Sequence, residues 1–289
     1  MKFSSPPSRI AAGMATKNAP AVKSNAPLFA SSAPFANRPR AKISHRRKHR
    51  PSKLKMNFEI LPTRTAGAAE NMALDFLLLQ RYPNATAPRF RHYDWRTQAF
   101  TFGYSQKIEF VRNALPSHEP FDLCRRPTGG GIVDHRNDWT YALVIPRGHP
   151  LEDARATQSY REVHECLAAA LQRQAVAAAT KKALDPHDGP GGVCFDRAEL
   201  YDVVNESTGQ KIAGGAQKRN KHGLLFQGSL WRPALGKALD EDKFAGDFSA
   251  LLAAALGLEP ALTPWPELNE DEVAGAIEHY SSPEWVSWR

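Results

Sequence analysis

The sequence predicts an α/β chain of the α+β type, with helices packed on a mixed, largely antiparallel sheet. Three observations carry that expectation. Ala69, Met72, Ala73, Phe76 and Leu79 follow the i, i+3, i+4, i+7 spacing of an amphipathic helix. After it, "QAFTFGYSQ" reads as a strand running into a glycine turn. Further on, "LYDVVNESTGQKIAGG" places two β-rich runs around a polar, glycine-containing connection, the pattern of a hairpin with a long loop. Tyr160, Val163, Leu167, Ala170, Leu171 and Gln174 mark a second, longer helix, and no internal repeat is present.

A chain of 289 residues has room for one large domain with a substantial core. No run approaches the roughly 18 apolar residues of a membrane span, so a soluble protein without a membrane partner is expected. The net charge of +8 is unevenly placed. Residues 1–55 hold 13 of the 38 Lys and Arg and no Asp or Glu, leaving 25 basic against 30 acidic residues, a net −5, in the remainder. The expected division is therefore a basic extension over 1–55 and a folded domain over 56–289. The extension is poor in regularly spaced apolar residues and reads as disordered. Three origins compete for it: a solvated tail, a transit-like or nucleic-acid-touching arm, and a start assigned upstream of a natural first residue at Met56. A cytoplasmic location is expected, with organellar targeting by the tail left open, and nucleic acid is disfavoured as a partner of the folded domain.

Cys124, Cys166 and Cys194 form an odd, widely spaced set without a C-x-x-C pair. Neither a disulfide framework nor a zinc site is indicated, no metal is expected, and a reducing compartment fits. Cys166 falls on the apolar face of the second helix and Cys124 in a strand, so both read as core residues.

The chemistry concentrates in two glycine clusters. "CRRPTGGGIVDH" sets Arg125 and Arg126 before Gly129, Gly130 and Gly131, with His135 four residues beyond. No helix pattern follows directly and no G-x-x-x-x-G-K-[ST] occurs, which excludes a dinucleotide fingerprint and a phosphate-cradling P-loop. Two readings remain for the glycines: a tight bulge, or a loop whose backbone approaches a ligand while the arginines meet its carboxylate or phosphate oxygens. His135, in a strand-entry turn, reads first as a structural hydrogen-bonder and second as an acid or base. The other cluster, "GQKIAGGAQKR", places Lys211 just ahead of Gly214, Gly215 and Ala216. A lone lysine at a strand edge is ordinarily a solvated charge with little packing. Small residues beside it leave room for a long, thin ligand.

Together, "ENMALD", the "W" and "GYSQ" of "DWRTQAFTFGYSQ", "RRPTGGGIVDH", "YDVV…GQKIAGGAQKR", "LLFQGSL" and "YSSPEW" resemble the lipoate-protein ligase A/B group, which belongs with the biotin-protein ligases. The motifs occur in that family's order over roughly residues 57 to 286. The resemblance implies a mixed sheet flanked by helices, as in the biotin/lipoate-protein ligase catalytic domain, with a tunnel for an eight-carbon acyl chain. It places Arg125, Gly129, Gly130, Gly131 and His135 around the carboxyl or acyl-adenylate end, and Lys211, beside Gly214, Gly215 and Ala216, at the acyl carbonyl. The acyl group would end on a lysine of a lipoyl-domain protein or of glycine-cleavage H protein.

That family divides by mechanism. Ligases activate free lipoate with ATP and Mg2+; transferases take octanoyl from acyl carrier protein, or from octanoylated H protein, and hold it as a cysteine thioester without a cofactor. Cys194, in "DGPGGVCFDRAELYDVV", follows a Gly/Pro segment and precedes the Lys211 hairpin, so the chain can bring its sulfur beside that lysine. The segment resembles that of the cysteine-dependent octanoyltransferases, which makes Cys194 and Lys211 the expected catalytic pair. The competing reading of Cys194 is a small apolar loop residue. The family's two-domain ligases carry a C-terminal accessory domain after the Y…EW segment; the close of the sequence at Arg289 leads to the expectation of a catalytic domain alone. Phe226 and Gln227 stand where family members usually show a histidine.

Overall fold

The computed structural model describes residues 57–80, 87–183, 195 and 197–288. All belong to one unit, Lys53–Arg289. The basic extension and Cys194 lie outside the described residues.

The chain opens with strand β1 (Asn57–Ala66), helix α1 (Ala68–Gln80), β2 (Arg89–Trp95), β3 (Ala99–Phe102), α2 (Ile108–Ala114), β4 (Asp122–Arg125) and β5 (Ile132–Asp134). Next come β6 (Asp138–Pro146), α3 (Pro150–Asp153), α4 (Ala156–Gln172), β7 (Ala178–Thr180), β8 (Val203–Asn205), β9 (Lys211–Asn220) and β10 (Gly223–Trp231). A 3-10 turn, Arg232–Leu235, leads into α5 (Glu241–Ala255), β11 (Glu259–Leu262), α6 (Glu270–Ser281) and α7 (Pro283–Val286).

Eight of these strands form one sheet in the order β11-β1-β2-β6-β10-β9-β8-β7, and three form a smaller sheet, β4-β3-β5. The expectation of a mixed, largely antiparallel sheet holds: β1 runs parallel to β2 and β11, while the pairs from β2 to β7 across the rest of the large sheet are antiparallel. Its central strands, "DWTYALVIP" and "GLLFQGSLW", are buried almost throughout, because helices or the small sheet cover both of their faces.

One face carries an aromatic core, Phe58, Phe90, Trp139, Tyr141, Phe226, Phe244 and Phe248, under α4 and α5. The other carries Leu61, Tyr93, Val144 and Leu225 under α1. Helix α1 matches the periodic pattern but is buried beyond its apolar stripe, since Asn71 and Asp75 are also enclosed. Arg91 of β2 explains this, donating from Nε to Asp75 Oδ1 at 2.7 Å and from Nη2 to the Asn71 carbonyl at 2.9 Å. Removing either charge of that pair would strand the other in the core at a cost of about 3–5 kcal/mol.

Helix α4 covers every residue that marked the second helix except Gln174, which lies beyond its end, and it encloses a group that the apolar pattern omits. His164 is fully buried, its Nδ1 2.9 Å from the Tyr201 carbonyl, and burial pushes its imidazole down to about 4. An imidazole in the unfolded chain titrates near 6.5, so on acidification the unfolded chain takes the proton first. The stability contributed by neutral His164 is therefore complete above about pH 6.5 and is lost towards pH 4, by about 3 kcal/mol. Thermal melts across this range should show a steeper decline for the wild type than for His164→Leu; parallel declines would contradict the assignment.

Candidate functional site

The small sheet and the glycine loop lie over the large sheet and leave a narrow, apolar-lined pocket between them. Its floor is built by Gly214, Gly215 and Ala216 of β9 and Gln227, Gly228 and Ser229 of β10, with Tyr93 and Thr140 alongside. Thr101, Arg126, Gly130, Val133 and His135 close it from the other side, and Met72, Trp95 and Phe195 complete the wall. Thus Gly130, His135, Gly214, Gly215 and Ala216 are brought together, while Arg125, Gly129 and Gly131 stand behind the lining.

The glycines are needed for close approach. A Cβ on Gly103 would meet the Gly130 carbonyl oxygen at 2.0 Å and the Gly129 carbonyl carbon at 2.7 Å, so the glycine loop passes directly over the β3 turn. Gly130 itself adopts φ +91°, a conformation suited to glycine. At the second cluster the expected open space is partly filled by the protein. A Cβ on Gly214 would lie 2.7 Å from Lys211 Cε and Nζ, and one on Gly215 2.5 Å from the Phe226 ring. These glycines accommodate a lysine folded across the strand and an aromatic ring.

The two arginines have different tasks. Arg125, expected to meet ligand oxygens, donates instead to the carbonyls of Tyr104, Gln106, Trp285 and Val286 at 2.7–3.0 Å, and so ties β4 to the β3 turn and to α7. Arg126 is the one at the cavity. Its Nη1 donates to Thr101 Oγ1 at 2.7 Å and its Nη2 to the carbonyls of Gly129 and Gly131 at 3.1 and 2.8 Å, holding the loop closed.

His135 stacks on Trp95 with ring centroids 4.0 Å apart, and its two nitrogens lie 2.6 Å from Asp138 Oδ2 and 2.7 Å from Thr101 Oγ1. Both ring nitrogens are thus engaged, one by a carboxylate and one by a hydroxyl, and that hydroxyl also accepts from Arg126. Thr140 and Ser229 also donate to Asp138 Oδ2. Gln227 donates to Asp75 Oδ2 at 2.7 Å and accepts from Thr128 at 2.7 Å. The polar side chains around the cavity therefore direct these hydrogen bonds to one another, leaving carbon to face its interior.

Lys211 departs from the expected solvated strand-edge charge. It begins an interior strand, its side chain 4% exposed, with Nζ 2.8 Å from Asp202 Oδ2. A register shift in the β8–β9 pairing accompanies this inward turn. The lysine borders an open cleft that shares Phe195 with the apolar pocket. Phe195 is the sequence neighbour of Cys194, which itself falls outside the described residues.

The other two cysteines are unsuited to nucleophilic work. Burial pushes the Cys124 thiol up to about 12 and the Cys166 thiol up to about 11. Among the described residues no cluster of three or more His, Cys, Asp or Glu side chains could hold a metal ion, and no helix is long and apolar enough to cross a membrane.

Sequence reasoning named Arg126 together with Arg125 as a candidate for ligand oxygens, but did not assign Thr101, Asp138, Asp202 or Tyr160 to this region. Asp202 had a signal, since it lies within the quoted motif that leads to Lys211, and Asp138 follows His135 by three residues.

Comparison with known proteins places this geometry in a family. The family model described as lipoyl protein ligase A/B catalytic domain matches residues 67–234, more than half of the chain. The octanoyltransferase LipM of Bacillus cereus is 35% identical over 170 residues, covering 56% of this chain and 60% of that protein. Its namesake in Bacillus subtilis is 32% identical over 197 residues, covering 65% and 68%. The chain thus spans about 60% of the length of the first of these relatives. Among solved structures, lipoate-protein ligase A bound with ATP is similar with a TM-score of 0.62 at 17% identity, over 80% of this chain and 98% of that one. A bi-partite lipoate protein ligase from Thermoplasma acidophilum gives 0.61 at 18%, over 81% and 98%. At such identities the structural likeness speaks for the fold. The extent of the family match settles membership: the chain belongs to the lipoyl protein ligase A/B catalytic domain family.

Proposed function

We propose that the protein transfers an octanoyl or lipoyl group to a lysine of a lipoyl-domain protein or glycine-cleavage H protein, through a thioester on Cys194. The observation that carries this reading is the carbon-lined pocket whose wall includes Phe195, with Lys211 Nζ 5.8 Å from the centre of that ring. Octanoyltransferases among the similar proteins point the same way. The donor would be octanoyl-acyl carrier protein or octanoylated H protein.

In the first step, with octanoyl-acyl carrier protein, the Cys194 thiolate attacks the carbonyl carbon of the donor thioester and the donor thiolate leaves; with octanoylated H protein the bond broken is the lysine amide, and the leaving amine takes up a proton. In the second, the acceptor lysine's amine attacks the Cys194 thioester, the amide forms, Cys194 leaves as thiolate, and the amine's extra proton passes to base. Each step places negative charge on the acyl oxygen, and an ammonium at Lys211 stabilises it in a site with little water. Cys194 is the remaining candidate nucleophile of the three cysteines, since the thiols of Cys124 and Cys166 are held protonated at neutral pH by burial. The donor thioester already carries the activation that ATP supplies to a ligase, so no cofactor enters this route.

Transfer to a lipoyl domain from octanoyl-acyl carrier protein should therefore proceed without ATP or magnesium and stop in Cys194→Ser, while Cys124→Ser and Cys166→Ser retain most activity. Use of free lipoate only with ATP and Mg2+, unaffected by Cys194→Ser, would establish the ligase reading instead. Lys211→Ala removes the partner of a buried carboxylate, so it should lower stability by about 3–5 kcal/mol as well as abolish transfer. Lys211→Arg keeps the charge but displaces the donor; the fold should survive and the transfer rate fall by about 100-fold. Wild-type turnover in Lys211→Arg would remove the lysine from the chemistry.

A further inference from the structure

We propose that Asp202, held by Tyr160, is a positioning residue that keeps Lys211 protonated, so that the lysine serves as a cation beside the acyl carbonyl and does not itself accept the acyl group. This rests on the role given to Lys211 above. The problem is chemical. A buried lysine without a partner loses its proton readily. A neutral amine beside a thioester would attack it: the lysine nitrogen would bond to the acyl carbon, the thiolate would leave, and the amine's extra proton would pass to that thiolate. The product is a stable amide on Lys211 and an enzyme that no longer turns over.

The geometry counters that reaction. Asp202 is fully buried, and its Oδ2 lies 2.8 Å from Lys211 Nζ while also accepting from the Glu199 N–H at 2.6 Å. Its Oδ1 accepts from the Tyr160 hydroxyl, and the Tyr160 oxygen in turn accepts from the Gly215 N–H at 3.0 Å. One tyrosine thus links the carboxylate to a backbone amide of a cavity-lining residue. The Tyr160 ring is fixed in turn, edge-on to His164 at 4.2 Å and 5.7 Å from Phe226. The backbone is bent to deliver Asp202 there: Tyr201, immediately before it, holds φ +68°, which an L side chain rarely adopts, and its carbonyl lies 2.9 Å from His164 Nδ1.

The surrounding charges leave this pairing in place. His164 is neutral above about pH 4 through burial and brings no competing cation. Arg197 lies 3.5 Å from Glu199, Lys181 donates to the Ala198 carbonyl, and Asp134 stands across the open cleft from Lys211.

The test compares wild type, Asp202→Asn and Tyr160→Phe, each checked for folding by thermal melting. Competitive labelling with acetic anhydride across a pH series, read at the Lys211 peptide by mass spectrometry, titrates the amine whether or not the protein is active. Asp202→Asn should bring the half-labelling pH of Lys211 down by about one to three units, and Tyr160→Phe should move it in the same direction by less. Incubated with octanoyl-acyl carrier protein and no acceptor, Asp202→Asn should accumulate octanoyl amide on Lys211, and wild type should not. Should Asp202→Asn fail to fold, Tyr160→Phe decides by the same two readouts. An unchanged Lys211 titration in the folded variants overturns the proposal. A shifted titration in a protein whose wild type transfers no octanoyl upholds the control of the proton by Asp202 and removes the transferase reading.

Discussion

The site depends on one steric condition: two stretches of backbone must pass closer than side chains permit. The glycine loop crosses the turn after β3 so tightly that a single carbon on Gly103 would overlap the Gly130 carbonyl. Only with that approach can Arg126 reach the carbonyls on either side of Gly130 while its other nitrogen holds Thr101. Thr101 in turn lies in hydrogen-bond contact with His135, and His135 with Asp138. A bulky residue at position 103 would lift the loop, open the Arg126 bonds and remove one wall of the cavity. Packing at the glycines thus governs the electrostatics that follow from it.

Those electrostatics have a common form. Arg91 with Asp75, His135 with Asp138, and Lys211 with Asp202 are enclosed pairs, each with further hydrogen bonds to its carboxylate. In such surroundings a lone charge costs several kcal/mol, so each carboxylate requires its partner. The pairs also lie in contact with cavity residues: Asp75 through Gln227, Asp138 through Ser229 and Thr140, Asp202 through Tyr160 and Gly215. Polar side chains can therefore frame a cavity whose inner surface suits a hydrocarbon chain.

Much of this was legible in the sequence, and the parts that were not share a cause. Both long helices and the β8–β9 hairpin follow from apolar spacing and turn residues, which are local properties. The pairing of β1 with β11, whose partners lie about two hundred residues apart, has no local signature. The choice between Arg125 and Arg126 shows the same limit at smaller scale. Neighbouring residues on an extended chain point to opposite faces, so deciding which one meets the cavity requires knowing which face the large sheet covers. Lys211 looked exposed for a related reason. Its burial depends on the β8–β9 register shift and on an aspartate nine residues earlier, a partner that no periodicity predicts. Gly214 and Gly215 read in the sequence as room for a thin ligand, and part of that room is taken by Lys211 and the Phe226 ring.

The account turns on covalent capture by a single sulfur. The buried Cys124 and half-buried Cys166 thiols are held protonated, and the third cysteine precedes an aromatic residue that lines both the cavity and the cleft beside Lys211. Intact-mass spectrometry of the protein mixed with octanoyl-acyl carrier protein, without ATP or acceptor, examines that capture directly. The account predicts a gain of one octanoyl group, removable by neutral hydroxylamine and located on the Cys194 peptide. No mass gain, or an octanoyl group placed on Cys124 or Cys166, would contradict it.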